Sequence, residues 1–385
     1  MSWGKIALSE LVEFSPRITL EKGELYDYVP MEAIDSGIKY PREIYQKEYT
    51  GGGTKFANGD TLFARITPCL ENGKIVKVKD LEKEVGFGST EYFVLRAKEN
   101  ISNSDFVYYL AKTDFVRQTA IKSMSGADGR QRADKGAVEQ LLVLNIPLPT
   151  QRKIASILSA YDNLIENNLK RIKLLEEKAF TSYKLLVNSE KLIEGCVGDL
   201  ADVKSGYAFK GADWTDEGFP VIKIRNIGNN DIDLTNCSLI PENIAESASK
   251  FKLNAGDLLI AMTGATVGKI GMMPKTDTSF YLNQRVGIFK PKFENAELFL
   301  FCYFNEPTAK DAVESIASGA AQPNISGSQI ESIKLLYPKH TIVTEFGVAI
   351  KNQFELIWNL KQQNTKLREA RDILLPKLMN GQIEV

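Results

Sequence analysis

The chain of 385 residues contains one histidine and four cysteines, and these small numbers exclude several kinds of chemistry. Cys69, Cys196, Cys237 and Cys302 lie far apart without a C-x-x-C pair, so a protein-built zinc site lacks its ligands. Every Ser-His or Cys-His catalytic scheme would have to use His340. We therefore expect no metal site and no catalytic residues of these kinds in the chain.

The sequence also lacks an excess of either charge and lacks long hydrophobic runs. Lys and Arg number 48 against 49 Asp and Glu, a net charge of -1, whereas a protein that neutralises many DNA phosphates usually has a basic excess. No apolar run approaches the roughly 18 residues that cross a bilayer, and the amino terminus has no apolar signal segment. We expect a globular, cytoplasmic chain that makes no membrane contact and is long enough for two or three domains.

An internal repeat divides the chain into two halves. Three pairs of short motifs recur in the same order: Gly59-Asp60 with Gly256-Asp257, Gly73-Lys74-Ile75 with Gly268-Lys269-Ile270, and Ser125-Gly126 with Ser318-Gly319. Each half then continues with an apolar run, one or two prolines and a long helical pattern. Two matching halves predict one type of domain used twice.

Two long segments carry seam residues at alternating spacings of four and three, which is the a/d pattern of a heptad repeat. The first seam is Ile154, Leu158, Tyr161, Ile165, Asn168, Ile172, Leu175 and Ala179, and the second is Phe346, Ile350, Gln353, Ile357, Leu360, Asn364 and Leu367. Narrow seams predict two helices that pair as an antiparallel coiled coil. The polar seam residues either fix the register of the pair or are solvated positions near fraying turns.

The ends of these helices carry recognisable signals. Thr150 is the predicted N-cap of the first helix, and Asn380-Gly381 is the predicted stop of the second.

The segments outside the helices are as long as typical domains, and their residue pattern predicts a mixture of helices and strands. Residues 221–227, 257–262 and 286–289 are predicted strands, and residues 106–121 and 298–316 are predicted helices late in each half. The sequence thus predicts an α+β fold with pseudo-two-fold internal symmetry. Its parts are a first domain at 1–148, a spacer helix at 149–195, a second domain at 196–338 and a second spacer helix at 339–385.

Motifs that would indicate an enzyme are missing from the sequence. The stretch GATVGK (264–269) resembles a phosphate loop, but only three residues separate its glycines and Ile270 follows the lysine, so it predicts a tight turn. There is no Asp-Pro-Pro-Tyr-like sequence of an amino-methyltransferase and no G-x-G-x-x-G fingerprint beside a strand.

Six stretches carry a family resemblance: RITPCLENGKI (65–75), GSTEYFVLR (88–96), GYAFKGADW (206–214), GDLLIAMTGATVGKIG (256–271), LNQRVGIF (282–289) and QPNIS (322–326). In this order, on a duplicated plan, they resemble the target-recognition domains of specificity subunits from type I restriction-modification systems. The resemblance covers essentially the whole chain.

The resemblance implies that each domain reads one half of a split double-stranded DNA target and that two helices hold the domains apart. It implies no catalytic residue in this chain and no cofactor bound by it. The implied partners are two methylation subunits that use S-adenosylmethionine and, in the full complex, two restriction subunits that use ATP and Mg²⁺. Two alternatives stay open: a protein-binding coiled-coil scaffold without DNA readout, and a nuclease or methyltransferase with unorthodox motifs.

Two polar loops, Ser125–Lys135 and Ser318–Ser326, supply the main candidates for DNA contacts, because Arg pairs with guanine and amides pair with adenine in the major groove. The candidates in the first half are Arg65, Lys74, Lys122, Arg130, Gln131 and Arg132, and those in the second are Lys204, Lys210, Lys223, Arg225, Asn226, Lys269, Asn283, Arg285, Gln322 and Asn324. The alternative for each is a solvated surface charge or, for Asn283 and Asn324, a side chain that stabilises a turn.

The helices also predict the spacing of the target. A helix over residues 154–186 would be on the order of 50 Å long, and B-DNA rises about 34 Å per turn. We therefore expect two different half-sites separated by a gap that the chain does not contact. Because the net charge is near zero, we expect partner subunits to supply most of the grip on phosphates.

Overall fold

The computed structural model of the chain describes residues 3–127, 129–228, 230–317 and 323–385. These residues form two compact units, which are unit 1 (Met1–Asn167 with Asn364–Val385) and unit 2 (Asn168–Gln363). The division runs through both long helices, so the predicted domain bounds stay predictions.

Unit 1 begins with a mixed α/β domain. Its elements are β1 (Lys5–Ala7), α1 (Leu8–Leu11), β2 (Val12–Phe14), β3 (Leu25–Val29), β4 (Tyr45–Glu48), β5 (Thr54–Ala57), β6 (Thr61–Ala64), β7 (Ile75–Lys77), β8 (Val85–Gly88), β9 (Tyr92–Ala97), α2 (Ser104–Lys112), α3 (Asp114–Lys122), α4 (Lys135–Glu139) and β10 (Leu142–Leu144). The first long helix, α5 (Leu148–Ser189), follows. The strands form sheets in the orders β2-β9-β6-β7, β4-β3-β8-β5 and β1-β10.

Unit 2 contains the corresponding elements, and the last of them continues from Asn364 into unit 1. They are β11 (Ile193–Cys196), α6 (Val197–Leu200), β12 (Ala201–Ser205), β13 (Phe219–Ile222), β14 (Ile227–Gly228), β15 (Asp231–Ile232), β16 (Ser238–Ile240), α7 (Glu242–Ser247), β17 (Leu258–Ala261), β18 (Ile270–Met272), β19 (Tyr281–Leu282), β20 (Val286–Pro291), α8 (Ala296–Tyr303), α9 (Pro307–Ala317), α10 (Gly327–Glu331), β21 (Lys334–Tyr337) and α11 (His340–Met379). The sheets have the orders β12-β20-β17-β18, β16-β13-β19, β14-β15 and β11-β21.

The topology of the two units confirms the predicted internal repeat. The sheet β2-β9-β6-β7 corresponds to β12-β20-β17-β18, and the antiparallel pair β1-β10 corresponds to β11-β21. In the second sheet of each unit, β3 runs parallel to β8 as β13 runs parallel to β19. The fold is thus α+β with one domain type used twice.

The repeated Gly-Asp motif forms the same turn in both units. Gly59 has φ of 90° and Gly256 has φ of 89°, a left-handed conformation that glycine adopts without steric cost. The carboxylates of Asp60 and Asp257 accept hydrogen bonds from the backbone N–H three residues earlier, at 2.8 and 2.7 Å. The motif is therefore repeated because the turn before β6 and β17 requires both residues.

Each of these aspartates also faces a basic side chain on the adjacent strand. Arg96 donates to both carboxylate oxygens of Asp60 at 2.7 Å, and Lys290 lies 3.6 Å from Asp257. Asp60 is fully buried. Burying a carboxylate is unfavourable unless it is paired and hydrogen-bonded, and Arg96 together with the turn N–H meets that requirement.

The central sheet of each unit buries both faces, because successive side chains on a strand point to opposite sides. In unit 1, Phe63, Ile75 and Phe93 pack with the helices, whereas Leu62, Val76 and Val94 pack with the second sheet. In unit 2, Leu258, Ile260 and Phe289 pack with the helices, whereas Leu259, Ala261 and Ile288 pack with the second sheet. The near-continuous apolar runs of these strands follow from this double burial.

Three predicted elements are interrupted in the structure. The predicted helix 106–121 is two helices, α2 and α3, because Thr113 leaves the helical conformation and its hydroxyl caps α3. The predicted helix 298–316 is likewise divided into α8 and α9, with Pro307 at the start of α9. The predicted strand 221–227 ends at Ile222, and a 3-10 turn follows at Ile224–Asn226.

The long helices α5 and α11 match the predicted helical segments, with one correction. α5 begins at Leu148, so the predicted N-cap at Thr150 is wrong; Pro149 needs no N–H partner in a first turn. α11 ends at Met379, and Gly381 adopts φ of 73°, which confirms the predicted stop. In the described part of the chain, no helix has the length and apolar character needed to span a membrane.

The predicted seam residues line the packed face of the helices in each unit. Buried are Ile154, Leu158, Ile165, Asn168, Ile172, Ala179, Phe346, Ile350, Ile357, Leu360 and Asn364, and half-buried are Tyr161, Leu175, Gln353 and Leu367. Asn168 and Asn364 are 6% and 2% exposed, so the alternative of solvated positions is wrong for these two. Phe354, rather than Gln353, fills the buried position of its turn, because its ring packs on Phe301 of α8 at 5.2 Å.

The two helices run antiparallel within each unit. In unit 1, Ile154 and Leu158 share an apolar cluster with Leu375 and Leu378. In unit 2, the ring of Tyr183 lies 6.3 Å from that of Phe346. Early residues of α5 thus meet late residues of α11 in unit 1, and the reverse holds in unit 2, as expected for an antiparallel pair.

A buried polar network joins the helices of unit 1 to its globular domain. Arg371 of α11 donates to Asp162 of α5 at 2.5 Å, and the Tyr109 hydroxyl of α2 donates to the other carboxylate oxygen at 2.5 Å. The side chains of Arg371 and Asp162 are 3% and 1% exposed. Removing Arg371 would leave the Asp162 carboxylate buried without this partner, and removing Asp162 would leave Arg371 paired only with the exposed Asp372 at 2.9 Å.

We expect Asp162→Ala to lower the free energy of unfolding of unit 1 by about 3 kcal/mol, since the buried Arg371 would keep only the exposed Asp372, 2.9 Å from its Nε, as a counter-charge. Urea unfolding of the full chain measures this loss. Glu177→Ala on the same helix is the matched control: its pair with Lys173 is 4.0 Å long and exposed, so the change should be below about 0.5 kcal/mol. Equal effects of the two substitutions would contradict the assigned role of Asp162.

A second ionisable group on α5, Glu176 in unit 2, is half-buried. Burial raises the pKa of Glu176 from 4.5 to about 7, and the charge of Lys361 opposes this rise. The Lys361 ammonium lies 4.0 Å from Glu176 but 2.9 Å from Asp231. Because the folded carboxyl keeps a proton that the unfolded chain releases, this group lowers stability as the pH rises from about 4.5 to 7.

We expect Glu176→Gln to raise the free energy of unfolding of unit 2 by on the order of 1–3 kcal/mol at pH 8, with little change at pH 4. Urea unfolding at both pH values measures the difference. Glu177→Gln, whose side chain is 56% exposed, is the neighbouring control and should show neither effect. A destabilised Glu176→Gln at pH 8 would show that the ion pair with Lys361 outweighs burial.

Candidate nucleic-acid interface

In unit 1, backbone pairing brings together two segments that are far apart in sequence. The residues after β6 pair with the loop before α4: Thr67 N–H donates to the Gln131 carbonyl at 3.0 Å, and Ala133 N–H donates to the Arg65 carbonyl at 2.8 Å. Ile66 and Arg132 form a bridge between the two segments. The predicted candidates Arg65, Gln131 and Arg132 therefore lie side by side.

A carboxylate that the sequence did not single out lies between the two arginines. Glu91, directly before β9, accepts hydrogen bonds from Arg132 Nε at 2.9 Å and Arg132 Nη2 at 2.7 Å. Arg65 Nε lies 3.4 Å from the same carboxylate. Hydrogen bonding from Arg132 lowers the pKa of Glu91, so the carboxylate is ionised at neutral pH. Its place in the stretch GSTEYFVLR was the only sequence signal.

The other candidates of unit 1 differ in availability. Arg130 and Lys122 are exposed, and among the described residues no ion pair involves either of them. The Lys74 ammonium instead donates to the Met31 carbonyl at 2.9 Å and is half-buried. Lys74 thus fastens a loop of the domain, so the structure does not place it as a free phosphate ligand.

Unit 2 has the same framework with different side chains. Met262 N–H donates to the Arg285 carbonyl at 3.0 Å, as Arg65 N–H donates to the Glu91 carbonyl, and Thr263 bridges to Asn324 as Ile66 bridges to Arg132. The described parts of the two predicted loops therefore pair with their units in the same way. Gln322 lies outside the described residues.

Asn283 has a structural role at this site. Its carboxamide oxygen accepts a hydrogen bond from Arg285 N–H at 3.2 Å, and the residue is 9% exposed. Ser89 accepts from Glu91 N–H at 3.2 Å in the equivalent turn of unit 1. The alternative of a turn-stabilising side chain therefore describes Asn283, whereas Arg285 and Asn324 are exposed.

Three further candidates of unit 2 lie at the 3-10 turn after β13. The Lys223 ammonium lies 3.3 Å from the centre of the Trp214 ring and donates to Ser238 at 2.8 Å, and burial lowers its pKa. Arg225 is exposed. Asn226 is 2% exposed, and its side chain bonds to backbone groups of its own turn and of the Asp233 loop. Asn226 is therefore a structural residue, and its prediction as a DNA contact is not supported.

The remaining lysine candidates of unit 2 are exposed, and they are Lys204, Lys210 and Lys269. Lys204 lines a cleft of about 390 Å³ together with Lys250, Lys252 and Lys290, above the apolar side chains of Phe251 and Leu253. Two of these lysines are paired with carboxylates, Lys204 with Asp202 at 3.8 Å and Lys290 with Asp257 at 3.6 Å. Lys250 and Lys252 therefore carry most of the positive charge that would favour a negatively charged ligand such as a phosphate. Lys269 follows the turn at 264–268, whose Gly264 and Gly268 have φ of 75° and 80°, as predicted for a tight turn.

Comparison with known proteins identifies the family of this chain. The model of the type I restriction modification DNA specificity domain matches residues 2–177 and 190–363. The chain belongs to this family. It carries two copies of the domain, and its role in DNA sequence specificity follows from that membership.

Individual relatives agree with this assignment. The type I restriction enzyme MjaVIII specificity subunit of Methanocaldococcus jannaschii is 26% identical over 78% of this chain and 75% of that protein. The EcoEI specificity subunit of Escherichia coli is 30% identical over 52% of this chain and 33% of that protein. The crystal structure of the type I S subunit from M. genitalium has a TM-score of 0.54 at 18% identity and covers 98% of this chain and 96% of that one.

Within this specificity chain, the sequence singled out two loops whose described parts pair with their units in the same way, but it did not separate exposed from structural side chains. The loops bring Arg65, Gln131 and Arg132 together in the first recognition domain, and Arg285 and Asn324 together in the second. Sequence reasoning missed the carboxylate between the arginines, because the partners are about 26 and 41 positions apart. The DNA-contact roles of the exposed residues stay predictions.

Proposed function

We propose that this chain is the specificity subunit of a type I restriction-modification complex and that each recognition domain reads one half of a bipartite double-stranded DNA target. One observation carries the proposal: the same loop framework occurs twice with different side chains. At the positions of Arg65, Gln131 and Arg132 in unit 1, unit 2 has Met262, which is 5% exposed, Pro323 and the exposed Asn324. The same backbone framework thus carries different side chains in the two units, which suits two half-sites of different sequence.

The exposed basic residues around these loops are the proposed phosphate ligands. Lys122 serves the first half-site, and Arg225, Lys269 and the lysine-lined cleft serve the second. Phosphate contacts fix orientation and register but carry little sequence information. Because the whole chain has a net charge of -1, we propose that partner subunits supply much of the remaining electrostatic attraction.

The outer faces of the long helices are the proposed docking sites for two methylation subunits. Leu164, Leu174 and Leu185 on α5 are 52%, 64% and 66% exposed, and Val348 and Ile373 on α11 are 56% and 59% exposed. Large apolar side chains exposed to water on both helices support a docking role, because a partner that covers them removes apolar surface from water. A pseudo-two-fold repeat would present equivalent surfaces to two copies of one partner.

In this proposal the chain supplies no catalytic residue and binds no cofactor. The methylation subunits use S-adenosylmethionine, and two restriction subunits, when present, use ATP and Mg²⁺. The complex acts on chromosomal DNA, so we propose a cytoplasmic location.

We expect Arg132→Ala and Arg130→Ala to change only the first half-site of the methylated sequence, since both residues lie on the loop of the first recognition domain. Sequencing that detects methylated bases, in cells that produce the complex, gives the readout. Arg285→Ala, at the equivalent site of unit 2, is the matched control and should change only the second half-site. Uniform loss of methylation at all sites would show that these arginines clamp phosphates or maintain the fold.

We also expect the helices to set the gap between the half-sites. Seven residues inserted after Asn167 and seven after Gln363 add about 10 Å of helix and keep the seam nearly in phase, so the gap should lengthen by about three base pairs. The half-sites should not change. Insertions of five residues, which rotate the seam by about 140°, are the control and should prevent assembly. A methylated sequence with an unchanged gap would refute the spacer role.

A further inference from the structure

Glu91 and the two arginines that it contacts form a charged cluster at the first recognition domain, here called the Glu91 cluster (Arg65, Glu91 and Arg132). Glu91 binds Arg132 through two nitrogens, at 2.7 Å to Nη2 and 2.9 Å to Nε, and Arg65 through one at 3.4 Å. The side chain of Glu91 is 18% exposed, whereas those of Arg65 and Arg132 are 34% and 46% exposed. The carboxylate thus lies beneath two more exposed guanidinium groups.

Backbone hydrogen bonds fix the three members of the cluster relative to one another. Arg65 N–H donates to the Glu91 carbonyl at 3.0 Å, and Ala133 N–H donates to the Arg65 carbonyl at 2.8 Å. Ser89 accepts from Glu91 N–H at 3.2 Å and fixes the turn before β9. The carboxylate is therefore held by the sheet, while Arg132 extends from a glycine-containing loop.

The contacts leave a defined part of Arg132 available. A guanidinium group has five N–H donors, and Glu91 takes the one on Nε and one on Nη2. Both hydrogens of Nη1 and the second hydrogen of Nη2 remain. These two nitrogens form the outer fork that pairs with O6 and N7 of guanine in the major groove. Among the described residues, no other carboxylate contacts Arg132.

The equivalent position in unit 2 has the opposite charge. Strand register aligns Glu91 with Arg285 and Arg65 with Met262, because β9 pairs with β6 as β20 pairs with β17. The turn itself is the same, with Asn283 in the place of Ser89. The fold therefore does not require a carboxylate at this position, and Glu91 is specific to the first recognition domain.

We propose that Glu91 is a positioning residue that orients Arg132 so that its outer fork reads a guanine in the first half-site. The inference rests on the proposed function. A long arginine side chain has many rotamers, and a carboxylate that restricts them reduces the entropy lost on binding. Glu91 also cancels part of the local positive charge, which favours base reading over unselective attraction to phosphates.

The test uses the purified complex of the full chain with its methylation subunits. Methylation rates are measured on DNA duplexes that carry each of the four base pairs at each position of both half-sites. For Glu91→Gln we expect discrimination at one G·C pair of the first half-site to fall about ten-fold. Discrimination in the second half-site should not change, and binding to unrelated DNA should become tighter because one negative charge is lost.

A double substitution tests whether Glu91 acts through Arg132. In an Arg132→Ala background, Glu91→Gln should cause no further loss of discrimination, since the side chain to be oriented is absent. Glu91→Asp, which keeps the charge on a shorter side chain, should retain more discrimination than Glu91→Gln. Thermal unfolding of each variant shows whether the domain is folded; if Glu91→Gln unfolds it, Glu91→Asp and the Arg132→Ala pair carry the test.

Other outcomes would overturn the inference. If Glu91→Gln binds DNA more tightly but discriminates between base pairs as before, Glu91 only competes with DNA phosphates for Arg132. Equal loss at both half-sites would make it a residue of the fold. A parent complex that methylates no bipartite sequence would instead refute the proposed function, before any Glu91 variant is compared.

Discussion

The buried ion pair between Asp162 and Arg371 is the contact on which the architecture of unit 1 depends. It links α5 and α11 where both are enclosed by the globular domain, and the Tyr109 hydroxyl completes the hydrogen bonding of the carboxylate. Buried charges persist only when they are paired, so the position of Arg371 determines which turn of α11 meets Asp162. The carboxyl-terminal residues thus become part of the unit that the amino-terminal residues begin.

Both units combine a shared backbone framework with side chains that differ between them. Turn glycines, the Gly-Asp motif and the central sheet produce one backbone framework twice, and the loops after β6 and β17 bring distant segments together on it. Side chains on this framework vary without altering it, as Glu91 and Arg285 at equivalent positions show. A frame stabilised by its buried faces can therefore carry two different recognition surfaces.

The errors of prediction have local physical causes. Thr113 and Pro307 interrupt predicted helices because a side-chain cap or a missing N–H starts a new helix within an apolar pattern. The strand predicted at 221–227 stops because Asn226 bonds back to Lys223 N–H and closes a 3-10 turn. Phe354 replaces Gln353 in the seam because the helix there packs on α8 as well as on its partner helix. Periodicity alone does not report such contacts.

The sequence by itself determined the duplication, the paired helices, the tight turn at residues 264–269, and the two loops whose described parts pair with their units in the same way. These features depend on local conformational preferences and on spacing along the chain, which a sequence displays directly. The tertiary structure alone decided that Asn226 and Asn283 are structural, that Lys74 faces the domain, and that Glu91 holds Arg132. Those roles depend on burial and on hydrogen bonds, many of them between residues distant in sequence, and spacing along the chain does not encode such contacts.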